Sequence, residues 1–245
     1  MPAAQPTIIA TSISFLRSQG GFWEGIAGPS YDYAIKLSRV ASGRKPRLCF
    51  LATGLGDNPV YTSAFYYAFA NLGVDATSLS LFPCPSYPDM REHLLSQDVI
   101  WVSGGSTANL LAVWRVHGLD VIMRECWEAG VVLMGSSAGA ICWHSGGTTD
   151  SFRLPLQAFT DGLRFLPYSN SPHYSSEKER RPLTNQLVAD GIIPDAYATD
   201  DHAGLVFFGT DLHEAIAERP GAKCYSITRI AEGKAIETEL PTRLL

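Results

Sequence analysis

The sequence predicts an α/β fold, a mainly parallel central sheet with helices on both faces, and three observations carry the prediction. Short apolar runs alternate with stretches of helical periodicity from Thr7 to Met134. Two of those runs, Val99–Val102 and Val131–Met134, lead straight into glycine-containing turns, and in such sheets sites lie beyond the carboxyl ends of the strands. Of the 245 residues, 46% are hydrophobic and 18% charged, which suits a large core and is too little charge for a disordered chain. We expect one domain across residues 1–245, since no repeat, low-complexity tract or linker interrupts the pattern.

The elements follow in order. Thr7–Ile13 and Leu48–Thr53 read as strands around a helix that begins near Pro29 and turns Ala34, Ile35, Leu37 and Val40 inward. Pro59–Leu72 reads as a second helix, with Phe65, Phe69 and Leu72 at helical spacing and Gly73 as its stop. A strand over Ala76–Phe82 and a short helix over Met90–Leu95 precede the buried strand Val99–Val102. Helical patterns then run from Thr107 through Leu110, Leu111 and Trp114, and over Val121–Glu128, before the apolar strand Val131–Met134 stops at Gly135. The last third is less regular. Residues 145–161 and 169–181 are polar, while Leu205–Phe208, Cys224–Ile227 and Ala235–Glu239 read as late strands, the last two joined as a hairpin through Ala231–Lys234.

Composition narrows the function. The net charge of 19 − 24 = −5 excludes a strongly basic nucleic-acid binder. Five cysteines, spread and without CxxC spacing, suggest neither a disulfide framework nor a zinc cage. No signal-like start and no long apolar span is present, so a cytoplasmic protein without a membrane partner is expected.

Gly135-Ser136-Ser137-Ala138-Gly139 is a GxSxG match placed after an apolar strand and before Ala140-Ile141-Cys142-Trp143. In a nucleophile elbow a sharp strand-to-helix turn presents the central serine outward, which makes Ser137 the candidate nucleophile. A neutral serine needs a base to take its proton and a third group to orient that base. His173, in Ser171-Pro172-His173-Tyr174, is the first choice, and His202, in Thr199-Asp200-Asp201-His202, the reserve. His93 and His213 fall in amphipathic helical stretches, His117 follows a helix, and His144 sits close behind the elbow. Asp150, Asp200 and Asp201 all remain open as the orienting carboxylate. For the developing oxyanion, glycines in Ser103-Gly104-Gly105-Ser106 let backbone N–H groups approach, and Ala138 adds the amide after the nucleophile. Neither GxxxxGK[ST] nor GxGxxG occurs here, which disfavours a nucleotide site.

These motifs resemble the dipeptidase E (α-aspartyl dipeptidase) family of serine peptidases, which shares its architecture with class I glutamine amidotransferases, a flavodoxin-like three-layer sandwich. The resemblance runs from about Leu48 to Phe208 on Val102–Leu111, Gly135–Ala140, Gly147–Phe152 and Pro172–Tyr174. It implies Ser137 as nucleophile, His173 as general base, Asp150 as third member with Asp201 competing, and Gly104 or Gly105 with Ala138 at the oxyanion. It also implies a cation for an N-terminal aspartate, with Arg180 and Arg181 at the matching place. Two positions depart from the pattern: the glycine loop reads Ser-Gly-Gly-Ser where related chains often have three glycines, and His144 stands where an apolar residue is expected. Glutamine-dependent transfer is disfavoured, because Cys142 lies five positions beyond the elbow serine.

The expectation is therefore a serine exopeptidase for short peptides, dipeptides with an N-terminal aspartate, acting through an acyl-enzyme without metal or cofactor. The resemblance allows a homodimer. The competing expectations are a binding protein that keeps the architecture without turnover, and a peptidase for another acidic or isoaspartyl substrate.

Overall fold

The computed structural model of the chain describes residues 3–13, 27–41 and 43–245. In chain order its strands begin with β1 (Thr7–Thr11), β2 (Arg47–Leu51), β3 (Asp75–Ser78), β4 (Val99–Val102), β5 (Val132–Ser136), β6 (Gly146–Thr149) and β7 (Gln157–Phe159). They continue with β8 (Ser169–Ser171), β9 (Ala196–Thr199), β10 (Ala203–Phe208), β11 (Asp211–Ala217), β12 (Cys224–Ala231), β13 (Lys234–Leu240) and β14 (Thr242–Leu244). The helices are α1 (Pro29–Leu37), α2 (Pro59–Phe69), α3 (Met90–Leu95), α4 (Thr107–His117), α5 (Leu119–Glu128), α6 (Ala138–Ile141) and α7 (Arg180–Ala189).

Eight strands form the larger sheet in the order β14-β11-β10-β1-β5-β4-β2-β3. From β1 to β3 every pairing is parallel, while β10 runs antiparallel to β1. Alternation along these strands feeds two cores. Ile8, Cys49, Leu51, Ile100, Val102 and Leu133 pack with Leu110, Trp114 and Met123 from α4 and α5. Their neighbours Ile9, Leu48, Phe50, Trp101 and Met134 pack on the opposite face with Tyr31 from α1 and Phe65 and Phe69 from α2. The result is the expected three-layer α/β arrangement.

The helices start where their caps dictate. Asn58 accepts from Val60 N before Pro59 opens α2, and Ser106 accepts from Asn109 N at the head of α4. Gly118, at φ 71°, ends α4 and turns the chain directly into α5.

The second sheet was not foreseen. Its six strands run β13-β12-β9-β8-β6-β7, and α7 covers it through a core of Leu187, Val188, Ala198, Tyr225 and Ile227. The polar stretches read as irregular therefore supply β6, β7 and β8. Their residues Thr148, Ser169, Asn170 and Ser171 are buried, yet Gly-Gly-Thr-Thr and Ser-Asn-Ser carry no apolar alternation to announce strands. Two smaller corrections follow. The strand expected over Ala76–Phe82 ends at Ser78, and His213 lies on β11 rather than on a helix, held there by antiparallel pairing with β10.

Candidate active site

Three adjacent parallel strands, β1, β5 and β4, end side by side, and each delivers one component just past its last residues. Ser12 follows β1, Ser137 follows β5, and Gly104 lies beyond β4. Two parallel strands of the second sheet, β8 and β9, bring His173 and Asp201 to their own carboxyl ends.

Ser137 occupies a sharp turn at φ 55° and ψ −113°, a backbone region costly for an L-residue and of the kind stored at active sites. Packing around it enforces the turn. Ser137 N donates to Thr11 O at 3.0 Å, and its own carbonyl accepts from Ala140 N and Ile141 N. A Cβ on Gly135 would lie 1.9 Å from Gly139 O, and one on Gly139 would lie 2.3 Å from Val102 O. Both glycines of the elbow are thus required by backbone running directly against them.

The loop after β4 approaches the same point. A Cβ on Gly104 would sit 3.2 Å from Ser137 Cβ, so the glycine backbone forms the wall beside the serine. Ser103 N and Ser106 N donate to Leu51 O and Gly54 O. Among the described residues the N–H groups of Gly104, Gly105 and Ala138 have no such partner, which leaves them available to an anion at the turn.

His173 also has a positive φ, 55°. Its Nδ1 lies 2.6 Å from Asp201 Oδ1, and this contact, with a second hydrogen bond from Ser176, holds the Asp201 carboxyl below the usual carboxylate range. Asp201 is therefore the carboxylate that faces the imidazole. Among the described residues no hydrogen bond joins Ser137 Oγ to His173, and catalytic contacts of this kind commonly tighten only when substrate binds.

The other expected residues lie elsewhere. Asp150 is exposed, makes no side-chain hydrogen bond among the described residues, and lines a separate cleft of about 480 Å³ with Arg153, Leu154, Leu156, Glu177, Lys178 and Glu179. Arg180 is buried: its Nε donates to Glu177 at 2.7 Å and its Nη1 to Thr148 O at 2.5 Å, tying α7 to β6. Arg181 pairs in a two-point fork with Glu237 of β13 and stacks over Tyr174 and Tyr225, with 5.2 and 4.8 Å to the ring centres. Both guanidiniums thus have partners within the chain, and neither needs a substrate carboxylate to account for its place. His202 takes a positive φ with its Nδ1 buried and without a hydrogen-bond partner among the described residues, and burial lowers its pKa. His144 is fully buried against Phe207, its Nδ1 on Ala140 O, and burial lowers its pKa to about 4. The buried carboxyl of Asp200 accepts from Lys223 N, and burial raises its pKa.

Ser12 and Thr199 were missed. Ser12 Oγ accepts from His173 N at 2.9 Å and lies 2.6 Å from Thr199 Oγ1. A serine at the end of an apolar strand carries no motif; only the strand's place beside β5 could have pointed to it.

Comparison with known proteins shows the family and the fold. The profile described as Peptidase family S51 matches residues 30–215, well over half of the chain. The chain is 44% identical over 201 residues to the Bacillus subtilis protein described as uncharacterized peptidase YgaJ, covering 82% of this chain and 86% of that one. It is 27% identical over 151 residues to a peptidase E of Shewanella denitrificans, covering 60% of this chain and 62% of the relative. The crystal structure of a peptidase from an acI-B1 Actinobacterium shares the fold at a TM-score of 0.66 and 17% identity, covering 96% of this chain and 97% of that one. No helix among the described residues is long and apolar enough to cross a membrane.

Proposed function

Because the chain belongs to peptidase family S51 and is a peptidase hydrolase, we propose that it is a serine exopeptidase acting on short peptides through Ser137, His173 and Asp201. The observation that carries this reading is the 2.6 Å contact of His173 Nδ1 with Asp201, on a histidine whose N–H is held by Ser12, the residue after the Thr11 carbonyl that receives the N–H of the strained elbow serine. Ser137 Oγ attacks the peptide carbonyl while His173 Nε2 takes the hydroxyl proton. Asp201 fixes the tautomer that leaves Nε2 free and stabilises the imidazolium that forms. The oxyanion is received by the N–H of Ala138 and of Gly104 or Gly105. His173 then gives its proton to the departing amine, which leaves as the C–N bond breaks. Water, deprotonated by the same imidazole, attacks the acyl-enzyme ester and releases the acid together with Ser137.

Selectivity for an N-terminal aspartate needs a cation, and with Arg180 and Arg181 engaged we assign it to the cleft beside Asp150. Both walls of that cleft lead back to the site. Ala108 N donates to Ser151 Oγ at the head of the helix that follows the Gly104 loop, and Glu177 N donates to His173 O. Arg153 and Lys178 line it without an ion pair among the described residues, together with Asp150 and Glu179. Charges of both signs suit a short peptide that carries an ammonium and carboxylates.

A fluorophosphonate probe tests the mechanism: it labels the wild type at Ser137 and fails on Ser137→Ala. Labelling elsewhere, or none on folded protein, overturns it. A panel of Asp-X, isoAsp-X, Glu-X and Leu-X dipeptides tests the substrate, and Leu-X turnover equal to Asp-X removes the acidic preference.

A further inference from the structure

We propose that Ser12 is a positioning residue for His173, a side chain through which the larger sheet sets the placement of the imidazole relative to Ser137. The inference rests on the reading of Ser137 and His173 as nucleophile and base.

Ser12 stands directly after β1, and consecutive residues there hold both halves of the site. Thr11 O accepts from Ser137 N at 3.0 Å, and Ser12 Oγ accepts from His173 N at 2.9 Å. The nucleophile and the base are therefore referenced to neighbouring peptide units of one buried strand end. The acid is referenced to it as well, since Ser12 O accepts from His202 N, the residue after Asp201, and Ser12 N donates to Ala203 O.

The hydroxyl is fully used. Ser12 is 4% exposed. With its proton on Thr199 O at 3.1 Å, its two lone pairs receive His173 N–H and the Thr199 hydroxyl at 2.6 Å. Thr199 O in turn accepts from Tyr174 N, so the peptide units on both sides of the His173 α-carbon are tied to the Ser12–Thr199 pair. A histidine at φ 55° benefits from such restraint, because its backbone is in the left-handed range that L-residues seldom adopt. Asp201 sets the rotation of the ring, and Ser12 sets where the ring begins.

The test compares Ser12→Ala with Ser12→Thr, which keeps the oxygen. Turnover of the best dipeptide is separated into kcat and KM, the rate of fluorophosphonate labelling is measured, and the imidazole N–H proton that His173 shares with Asp201 is followed by NMR. Ser12→Ala is expected to lose about 10²-fold in kcat, the scale set by a misplacement near 1 Å, with KM within about twofold by the same argument. The labelling rate should fall in parallel, the NMR resonance should broaden or move, and Ser12→Thr should recover most of the loss. A folded Ser12→Ala with wild-type kcat and an unmoved resonance overturns the proposal, as does a Ser12→Thr that regains thermal stability but not kcat. If Ser12→Ala does not fold, Ser12→Cys carries the same test, since its sulfur is a weaker acceptor and predicts an intermediate loss. A wild type whose Ser137 is never labelled sinks the peptidase mechanism instead, while the His173 resonance still reports whether Ser12 places the ring.

Discussion

The two halves of the proposed site, one for the nucleophile and one for the base, are built by different physics. On the nucleophile side, one run from Gly135 to Gly139 makes its own turn, and the restraint is steric: backbone lies so close to both glycines that no side chain fits. On the base side, His173, Asp201 and Ser12 are joined by hydrogen bonds spanning 28 and 161 positions of chain. Those bonds link the ends of strands from two different sheets. A steric elbow keeps its shape under changes at a distance, whereas a polar assembly depends on single atoms. Removal of one oxygen from the base side should therefore cost activity without unfolding the protein, and added bulk on the nucleophile side should unfold it.

The largest expected effect separates the two carboxylates. Asp201→Asn should lower kcat/KM by about 10³- to 10⁴-fold, because an amide in place of the carboxylate favours the wrong imidazole tautomer. Asp150→Asn, on an exposed residue with no bond to the ring, should leave kcat within about threefold by the same reasoning, any larger loss falling on KM through the cleft that Asp150 lines. Kinetics on a single dipeptide decide between them, and the reverse order would place the functional base side elsewhere. The sign of the pH effect follows too. A carboxyl whose folded pKa is depressed stabilises the fold above its unfolded pKa, and that contribution is lost as pH falls through the folded value. Asp201 thus stays charged through the neutral range, and the loss of activity on mild acidification should not be its titration.

This contrast also explains what was legible. The parallel strands and the elbow were readable because they are written locally: apolar runs ending in glycine turns, and a serine at the centre of GxSxG. His173 was readable as the histidine of a polar loop, although nothing local marked its partner. Asp150, Asp200 and Asp201 look alike in sequence, and only the parallel pairing of β8 with β9 brings Asp201 to the ring. That pairing was hidden because Ser169-Asn170-Ser171 is buried without apolar residues. For Arg180 and Arg181 the surroundings were hidden in the complementary way. Their partners, Thr148 and Glu237, lie on strands 32 and 56 positions away, so nothing local showed that both cations are engaged within the chain.

A middle-sized effect comes from His144, three turn-packed residues behind the elbow helix. Buried and neutral, it has a folded pKa of about 4 against an ordinary value of 6.5. Between those values the unfolded chain binds more protons, so stability rises with pH. The contribution is fully present above 6.5 and is lost as pH falls toward 4. At about 1.4 kcal/mol per unit, roughly 3 kcal/mol is at stake. Urea midpoints across that range should fall steeply for the wild type and less steeply for His144→Gln. A variant with an unchanged slope would remove His144 as the source of the pH dependence, while one that loses labelling at Ser137 and remains folded would mean that the nucleophile side also depends on a polar group.

The smallest effect tests the outer edge of the base side. If Arg181 is a clasp between α7 and β13, then Arg181→Ala removes one partly exposed ion pair and its stacking on Tyr174 and Tyr225. Such contacts are worth about 1 kcal/mol together. The melting temperature should drop slightly, and Glu237→Gln should cause a similar drop, because each change breaks the same fork. The ratio of Asp-X to Leu-X turnover should not change in either variant. Arg153→Ala, on a cation facing the cleft, should lower that ratio while leaving the melting temperature in place. If the ratio instead follows Arg181, the arginine leaves Glu237 when substrate binds, and the base side is a surface that rearranges around its ligand rather than one preset by the fold.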